Sequence, residues 1–203
     1  MSFCLFVLFA ILDYMSIVEM NKQMKLTEHL VSPSVASLSH SCVPAVASDQ
    51  KSSASKLDGL RLTPHFTLGE LTKTRVNIEN VPNEAQVNNL KRLCRWLEKL
   101  RKRWNDLYGE GDDPIVINSG FRSPAVNKAV GGVPTSNHLT GCAVDIRCIG
   151  MEQALRYAAI LLDISDLNKE DFDELLIEQK GRVIWIHFAV RPSENRRRTN
   201  FRR

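Results

Sequence analysis

The most informative stretch of the chain runs Ser136-Asn-His-Leu-Thr-Gly-Cys-Ala-Val-Asp145. His138 precedes an apolar run that is typical of a buried strand, and Asp145 lies inside that run between two branched apolar residues. A carboxylate in such a strand is costly to bury unless it is paired, hydrogen-bonded or bound to a metal ion. Gly141 separates the histidine from the strand and permits an unusual backbone turn. The stretch therefore predicts a buried strand with a functional acid.

A β-hairpin is predicted further along the chain. Two apolar, β-rich runs, residues 172–179 and 183–190, flank the turn residues Lys180-Gly181. The second run contains Trp185-Ile-His187-Phe, so another histidine lies among residues that favour burial. Two imidazoles and one carboxylate thus occur in segments that otherwise predict a core.

The other segments indicate the fold class. Apolar residues recur at spacings of three and four over residues 83–108, which predicts a long amphipathic helix. A strand is predicted at 114–118, a short helix at 125–130 and a second long helix at 151–162. The order is helix, strand, short helix, strand, helix, hairpin. It predicts an α+β fold in which helices pack on a small, mainly antiparallel sheet.

Composition limits the functional classes. A chain of 203 residues with 43% hydrophobic and 25% charged residues is typical of a globular protein, so we expect no stable membrane span. The net charge of +4 does not indicate general nucleic-acid binding. The five cysteines lack CxxC spacing, which argues against a zinc knuckle or a thioredoxin-like redox site. Nothing in the sequence indicates the oligomeric state.

Four segments are expected along the chain. Residues 1–31 include an apolar stretch whose length suits a signal peptide better than a membrane span, but no basic residue precedes it. Three interpretations of these residues therefore stay open: a signal peptide, a membrane anchor, or a start codon assigned too far upstream. Residues 32–65 predict a linker, and 66–191 the folded domain. Residues 192–203 form a basic tail. We expect it to be a solvated, frayed end rather than a segment that binds an anionic surface.

His138, Asp145 and His187 form a three-ligand set that suits catalytic zinc, with a fourth position open for water. Zinc lowers the pKa of such a water and polarises a carbonyl, which amide hydrolysis requires. Taken singly, however, a histidine in a strand is more often a hydrogen-bonded core residue. The spacing alone does not decide between a zinc site and a polar core.

Three motifs together resemble the D-alanyl-D-alanine carboxypeptidase family of zinc peptidases. They are Ser119-Gly-Phe-Arg-Ser123, the stretch Ser136–Asp145 and Trp185-Ile-His187. That family includes cell-wall carboxypeptidases, vancomycin-resistance dipeptidases and phage endolysins, and it shares its fold with the hedgehog signalling domain. The resemblance covers about residues 66–191.

The resemblance implies a hedgehog-like fold and a function in the cell wall. His138, Asp145 and His187 match the ligands of Zn²⁺, and the implied substrates are the stem peptides of peptidoglycan. Either a D-Ala-D-Ala carboxypeptidase or an endolysin-type endopeptidase fits. The implied location is correspondingly the cell envelope or periplasm, or a phage-encoded enzyme that is released at lysis.

Other site residues follow from the same motifs. Arg122 matches the family arginine that binds a substrate carboxylate or stabilises the oxyanion, with a structural salt bridge as the alternative. Ser136 is expected to orient the neighbouring histidine or to contact substrate, and Trp185 to line the site. Ser119 and Asn137 are weaker candidates.

The general base fits the family pattern less well. Many members have an acid three positions before the last histidine, where this chain has Ile184. Glu178 lies on the other arm of the hairpin and resembles the strand glutamate of carboxypeptidase and hedgehog-like members. Because the hairpin brings the two arms together, Glu178 is the expected base. Asp173 and Glu174 are expected to be solvated.

Two other functional classes stay open. One is a zinc-containing binding module of the same fold that has lost hydrolysis, for which the missing acid at position 184 gives some weight. The other is a structural protein with buried polar residues and no metal, such as part of a phage particle. The sequence does not separate a host carboxypeptidase from an endolysin, and it does not indicate which stem-peptide bond is cut.

Overall fold

The computed structural model describes residues 59–109 and 111–203. The predictions for residues 1–31, and for most of 32–65, concern residues outside these ranges. The elements in chain order are α1 (Leu68–Thr72), α2 (Glu84–Leu107), β1 (Ile117–Ser119), α3 (Pro124–Ala129), a 3₁₀ helix (Asn137–Thr140), β2 (Ala143–Cys148), α4 (Gly150–Asn168), β3 (Glu174–Lys180), β4 (Val183–Ala189) and β5 (Arg198–Arg202). Among the described residues, none of the helices is both long and apolar enough to cross a membrane.

The five strands form one sheet in the order β1-β2-β4-β3-β5. Neighbouring strands are antiparallel except for β3 and β5, which run parallel. The predicted hairpin is the pair β3 and β4, and its turn lies where Lys180-Gly181 indicated. The predicted α+β class with a mainly antiparallel sheet is confirmed.

One face of the sheet packs against the two long helices. Strand residues alternate between the two faces, so every second residue of β2 and β4 faces α2 and α4. The apolar stripe of α2 covers this face, as its sequence period indicated. The large, fully buried side chains where the long helices meet the sheet include Leu90, Leu93, Leu97, Leu100, Leu161, Ile146, Ile186 and Phe188.

The start of α2 is tied to the 3₁₀ helix. Asn83 caps α2, and its side chain accepts a hydrogen bond from the backbone N–H of Gln86, while the Gln86 side chain accepts one from the N–H of Asn83. The amide of Gln86 also donates to the carbonyl of Leu139 at 2.9 Å. Gly141 ends the 3₁₀ helix with φ at +70°, and a Cβ there would lie 2.6 Å from the carbonyl oxygen of Gln86. Glycine is therefore required at this turn.

The C-terminal residues differ from the expected frayed end. Residues Arg198–Arg202 form β5 at the edge of the sheet. The side chain of Arg196 makes two hydrogen bonds of 2.7 Å with Asp173, and that of Arg197 bonds Asp166. Acids on β3, α4 and the segment between them thus hold the basic segment against the sheet. A short, charged strand without apolar alternation gives no strand signal in the sequence.

Candidate metal centre and its cavity

Three side chains meet on the face of the sheet that the long helices leave uncovered. Asp145 on β2 lies directly opposite His187 on β4, and the 3₁₀ helix brings His138 beside them. Oδ1 of Asp145 is 3.2 Å from Nε2 of His138 and 3.0 Å from Nδ1 of His187. One ligand atom from each residue lies within 4.8 Å of the other two. The structure therefore brings the three predicted metal ligands together.

Hydrogen bonds fix which nitrogen each histidine turns toward the cluster. Nδ1 of His138 is 2.6 Å from the carbonyl oxygen of Gly120, and because a carbonyl can only accept, Nδ1 carries the proton. Nε2 of His138 is then free to bind a metal ion. Nε2 of His187 is 3.4 Å from Oε2 of Glu174, which leaves Nδ1 for the cluster. Such outer partners are typical of metal-binding histidines.

Gly120 is held close to the backbone of α1. A Cβ at this position would lie 2.3 Å from the carbonyl oxygen of Leu71, a contact that no side chain permits. The same Leu71 oxygen accepts a hydrogen bond of 2.7 Å from the N–H of Phe121. Glycine in the Ser-Gly-Phe-Arg-Ser motif thus allows its own carbonyl to reach His138.

The pKa values show that the cluster favours positive charge next to a carboxylate. Burial alone would raise the pKa of the Asp145 carboxyl, but the interactions with His138 and His187 hold that pKa well below its usual range. Burial alone would lower the pKa of His187, yet its hydrogen bonds with Asp145 and Glu174 raise that pKa to about 9. The donor set of two imidazoles and one carboxylate therefore fits a divalent cation, which would displace the proton.

The cluster borders a cavity of about 630 Å³. The main residues predicted for the site line this cavity: His138, Asp145, His187, Arg122, Ser136, Trp185 and Glu178. Of the two weaker candidates, Asn137 lines it and Ser119 does not. Gly131 and Gly132 also line the cavity. A ligand in the cavity can therefore contact the cluster and the candidate catalytic groups together.

Residues 64–180 match the family model described as Peptidase M15. The chain belongs to the peptidase M15 family. The resemblance to zinc peptidases that the motifs indicated is confirmed at this level. The matched region contains His138 and Asp145, whereas β4 with His187, and β5, follow it.

A curated relative of this M15 family member is the zinc D-Ala-D-Ala carboxypeptidase of Streptomyces albus G. The two are 50% identical over 36 residues, which are 18% of this chain and 14% of the relative. The chain therefore matches only a small part of that relative's length.

Arg122 of this M15 family member pairs with the carboxylate of the cluster. Its Nη2 bonds Oδ2 of Asp145, and its Nε donates to the hydroxyl of Ser119 at 2.8 Å. Its backbone N–H donates to the carbonyl of His138 at 3.1 Å. The salt bridge that the sequence left as an alternative is thus present. Nη1 makes no hydrogen bond within the described part of the chain, and Arg122 lines the cavity.

Ser136 and Trp185 have distinct contacts. The hydroxyl of Ser136 accepts a hydrogen bond of 3.3 Å from the backbone N–H of His138, so it caps the 3₁₀ helix that carries this histidine. The indole N–H of Trp185 donates to Oε2 of Glu178 at 2.9 Å. Trp185 therefore orients the candidate base, a contact that the sequence did not indicate.

Two glutamates on β3 face the cavity. Glu174 and Glu178 are four residues apart on β3, and their side chains lie on the same face of the sheet as His187 of β4. Glu178 contacts Trp185 and, at 3.5 Å, Nη1 of Arg202. Glu174 is the acid that approaches the cluster, through Nε2 of His187.

The expectation that Asp173 and Glu174 are solvated is wrong. The side chain of Asp173 is fully buried, and hydrogen bonds from Arg196 and from the amide of Asn137 stabilise its charge. The side chain of Glu174 is only 13% exposed. The even spacing between Glu174 and Glu178 was the signal that could have placed both on the site face. It was missed because acids at the start of a strand are usually exposed.

Proposed function

We infer that this chain is a zinc-dependent peptidase that hydrolyses peptide bonds in the stem peptides of peptidoglycan. The observation that supports this best is the meeting of His138, Asp145 and His187 within 4.8 Å beside a cavity. Membership of the M15 family and the name of the Streptomyces albus G relative favour the same chemistry. We assign the activity to the expected domain of residues 66–191 together with β5, which belongs to the same sheet. Both a D-Ala-D-Ala carboxypeptidase and an endolysin-type endopeptidase are compatible with it.

The donor set supports zinc in particular. Two imidazole nitrogens and one carboxylate oxygen form a common three-ligand set for catalytic zinc. Zn²⁺ held by these donors would polarise the scissile carbonyl and lower the pKa of a water molecule. The contacts of the histidines with Gly120 and Glu174 leave one nitrogen of each ring facing the cluster, where a metal ion could bind it.

Glu178 is the proposed general base. The indole N–H of Trp185 holds Oε2, so Oε1 is the oxygen that takes the proton from the attacking water. The same carboxyl then gives this proton to the leaving amine. The side chain is 21% exposed and lines the cavity, so substrate and water reach it.

Arg122 is proposed to serve the reaction in two ways. Its pairing with Oδ2 of Asp145 fixes the carboxylate so that Oδ1 points toward the two histidines. Its Nη1, which has no partner among the described residues, would donate a hydrogen bond to the substrate oxygen on which negative charge develops. Ser136 supports His138 through the 3₁₀ helix.

A zinc-containing binding module without hydrolytic activity is the second candidate. The observation in its favour is that Ile184, at the position where many relatives carry an acid, is buried and faces the helices. In addition, both oxygens of Glu178 have partners, Trp185 and Arg202. The two candidate functions differ in whether the protein hydrolyses a bound peptide with Glu178 as the general base.

The test is to incubate the purified protein with defined muropeptides, with and without a metal chelator, and to identify the products by mass. We expect release of an amino acid or peptide fragment that the chelator abolishes and zinc restores. His138→Ala should lose both metal and activity. Glu178→Gln should lose activity and keep the metal.

Glu152→Gln is the matched control, because Glu152 is exposed on α4 and pairs only with Arg156 among the described residues. It should retain full activity. Bound zinc without any product from muropeptides would favour the binding module. Cleavage that persists after complete removal of metal would rule out the zinc mechanism.

A further inference from the structure

The basic strand β5 forms one wall of the cavity. Its register with β3 places Arg198 beside Glu174 and Arg202 beside Glu178. Because side chains alternate along each strand, these two arginines lie on the same face of the sheet as His187. Both line the cavity.

Each of these two arginines uses only part of its guanidinium group. Nη1 of Arg198 is 3.0 Å from Oε1 of Glu174, and Nη1 of Arg202 is 3.5 Å from Oε1 of Glu178. Both side chains are 48% exposed. Their other N–H groups make no hydrogen bond to any residue that the structure describes. A guanidinium with a free edge can bind a carboxylate through two parallel hydrogen bonds.

The cavity carries an excess of positive charge. Its basic residues are Arg122, Lys180, Arg196, Arg198 and Arg202, and its acidic residues are Asp145, Glu174 and Glu178. A bound divalent cation would add to the excess. Basic groups that line one concave site attract anionic ligands and raise their local concentration.

We propose that Arg198 and Arg202 bind a second carboxylate of the substrate, away from the scissile bond, and that they select acidic peptides. The inference rests on the proposed function, since it names the substrate class of the same site. In the sheet order, β5 lies two strands beyond β4, or about 10 Å at the usual strand separation. An extended peptide spans this distance with about three residues. The selected carboxylate therefore belongs to a residue about three positions from the bond that is cut.

Arg196 has a different task in this arrangement. Its guanidinium is occupied by the buried carboxylate of Asp173, through Nε and Nη2. The backbone N–H of Arg198 donates to the carbonyl of the same aspartate at 3.0 Å. Asp173 and Arg196 thus hold the start of β5 in place and leave Arg198 and Arg202 to face the ligand.

The experiment compares two peptides that differ in one group. The first is the stem pentapeptide L-Ala-γ-D-Glu-L-Lys-D-Ala-D-Ala, whose glutamate has a free α-carboxylate, and the second carries an amide there. We expect the zinc-loaded protein to have a kcat/KM about 10- to 100-fold higher for the acid, mainly through KM, as for a charge-assisted hydrogen bond. Arg198→Gln and Arg202→Gln should each reduce this preference.

Arg203→Gln is the matched control, because Arg203 belongs to the same basic segment, stacks on Phe201 and does not line the cavity. It should keep the preference. Circular dichroism and denaturation midpoints test whether each variant is folded. An equal kcat/KM for both peptides with the unaltered protein, or a preference that survives in both arginine variants, would overturn the proposal.

Binding of the same two peptides by calorimetry separates this inference from the proposed function. If neither peptide is cleaved, the peptidase assignment fails, yet tighter binding of the acid that depends on Arg198 and Arg202 would still support the carboxylate site. If both are cleaved and bound equally, the peptidase assignment stands and the carboxylate site fails.

Discussion

The same strands form both faces of the sheet, but one face packs in the apolar core and the other borders the cavity. On one face, Ile146 of β2 and Phe188 of β4 are fully buried under the long helices. On the other, Asp145 and His187, their neighbours in sequence, carry charge beside a cavity. Because successive side chains of a strand point to opposite faces, the groups that stabilise the fold are separated from the groups that can bind a ligand.

The two faces also differ in how they contribute to the stability of the fold. The apolar face gains free energy from each buried side chain. The polar face holds Asp145 at only 8% exposure, and removing one partner from a buried charged pair is costly. Every acid on that face has a partner, whether a histidine, an arginine or the Trp185 indole. The polar face is thus a network whose members depend on one another, whereas the apolar face is a sum of contacts.

Asp145→Asn should have the largest effect on the polar face. The amide keeps the shape of the side chain but loses the charge that attracts both histidines and a cation. Because a catalytic metal contributes several kcal/mol to the transition state, hydrolysis of muropeptides should fall by at least about 10³-fold. Elemental analysis should find little zinc in a protein whose circular dichroism is unchanged. Full zinc content in this variant would exclude Asp145 as a ligand.

Phe188→Ala tests the apolar face of the same region. The ring is fully buried and packs on Trp96 and Phe172, with centroids 5.4 Å and 5.9 Å away. Its removal should lower the free energy of unfolding by about 3–5 kcal/mol, as measured by urea denaturation. Val183→Ala on the same strand, where the side chain is 59% exposed, should change it by less than about 0.5 kcal/mol. Equal losses in both variants would contradict the division between the faces.

The sequence was most informative in the strands that carry both buried apolar residues and polar site residues. Apolar, β-rich runs predicted β2, β3 and β4, and a polar residue inside an apolar run singled out Asp145 and His187. Gly141 indicated a special turn, and the structure has a positive φ there. These predictions succeed because burial and backbone geometry act on neighbouring residues, so their signature is local.

The features that were missed depend on contacts between distant residues. Strand β5 is held in the sheet by acids that come from α4 and β3, and no local pattern in its sequence distinguishes it from a frayed end. Glu174 approaches His187 only because β3 and β4 pair in one register. The sequence predicted the hairpin, but it did not indicate how closely Glu174 approaches the histidine of the neighbouring strand.

Glu174→Gln should separate the two glutamates of the polar face. The carboxylate near Nε2 of His187 orients the ring and strengthens Nδ1 as a ligand, so its loss should weaken zinc binding by about 10- to 100-fold. Competition with a chromophoric chelator measures this affinity. Glu178→Gln is the matched comparison, because Glu178 bonds Trp185 rather than a histidine, and its zinc affinity should stay the same. Equal affinities in both variants would mean that Glu174 does not support the metal centre.

Asp173→Asn should have the smallest effect, and that effect should depend on pH. Burial alone would raise the pKa of the Asp173 carboxyl, but hydrogen bonds from Arg196 and Asn137 lower it below its ordinary value. A lowered folded-state pKa stabilises the fold above the unfolded pKa of about 3.9, and this contribution disappears as the pH falls through the folded-state value. We expect a loss of about 1–2 kcal/mol at neutral pH, since the partner Arg196 is exposed to solvent.

The measurement is the urea midpoint of both proteins at neutral pH and at about pH 3. The difference between them should shrink at about pH 3, because the Asp173 carboxyl gains a proton there in the unfolded chain before it does so in the folded protein. Arg196→Gln removes the other half of the pair and should show the same dependence on pH. A difference that stays constant or grows toward acid would mean that the charge of Asp173 does not stabilise β5. In that case the basic strand would be held by its backbone hydrogen bonds to β3 alone, and the polar face would be less interdependent than the contacts of Asp173 indicate.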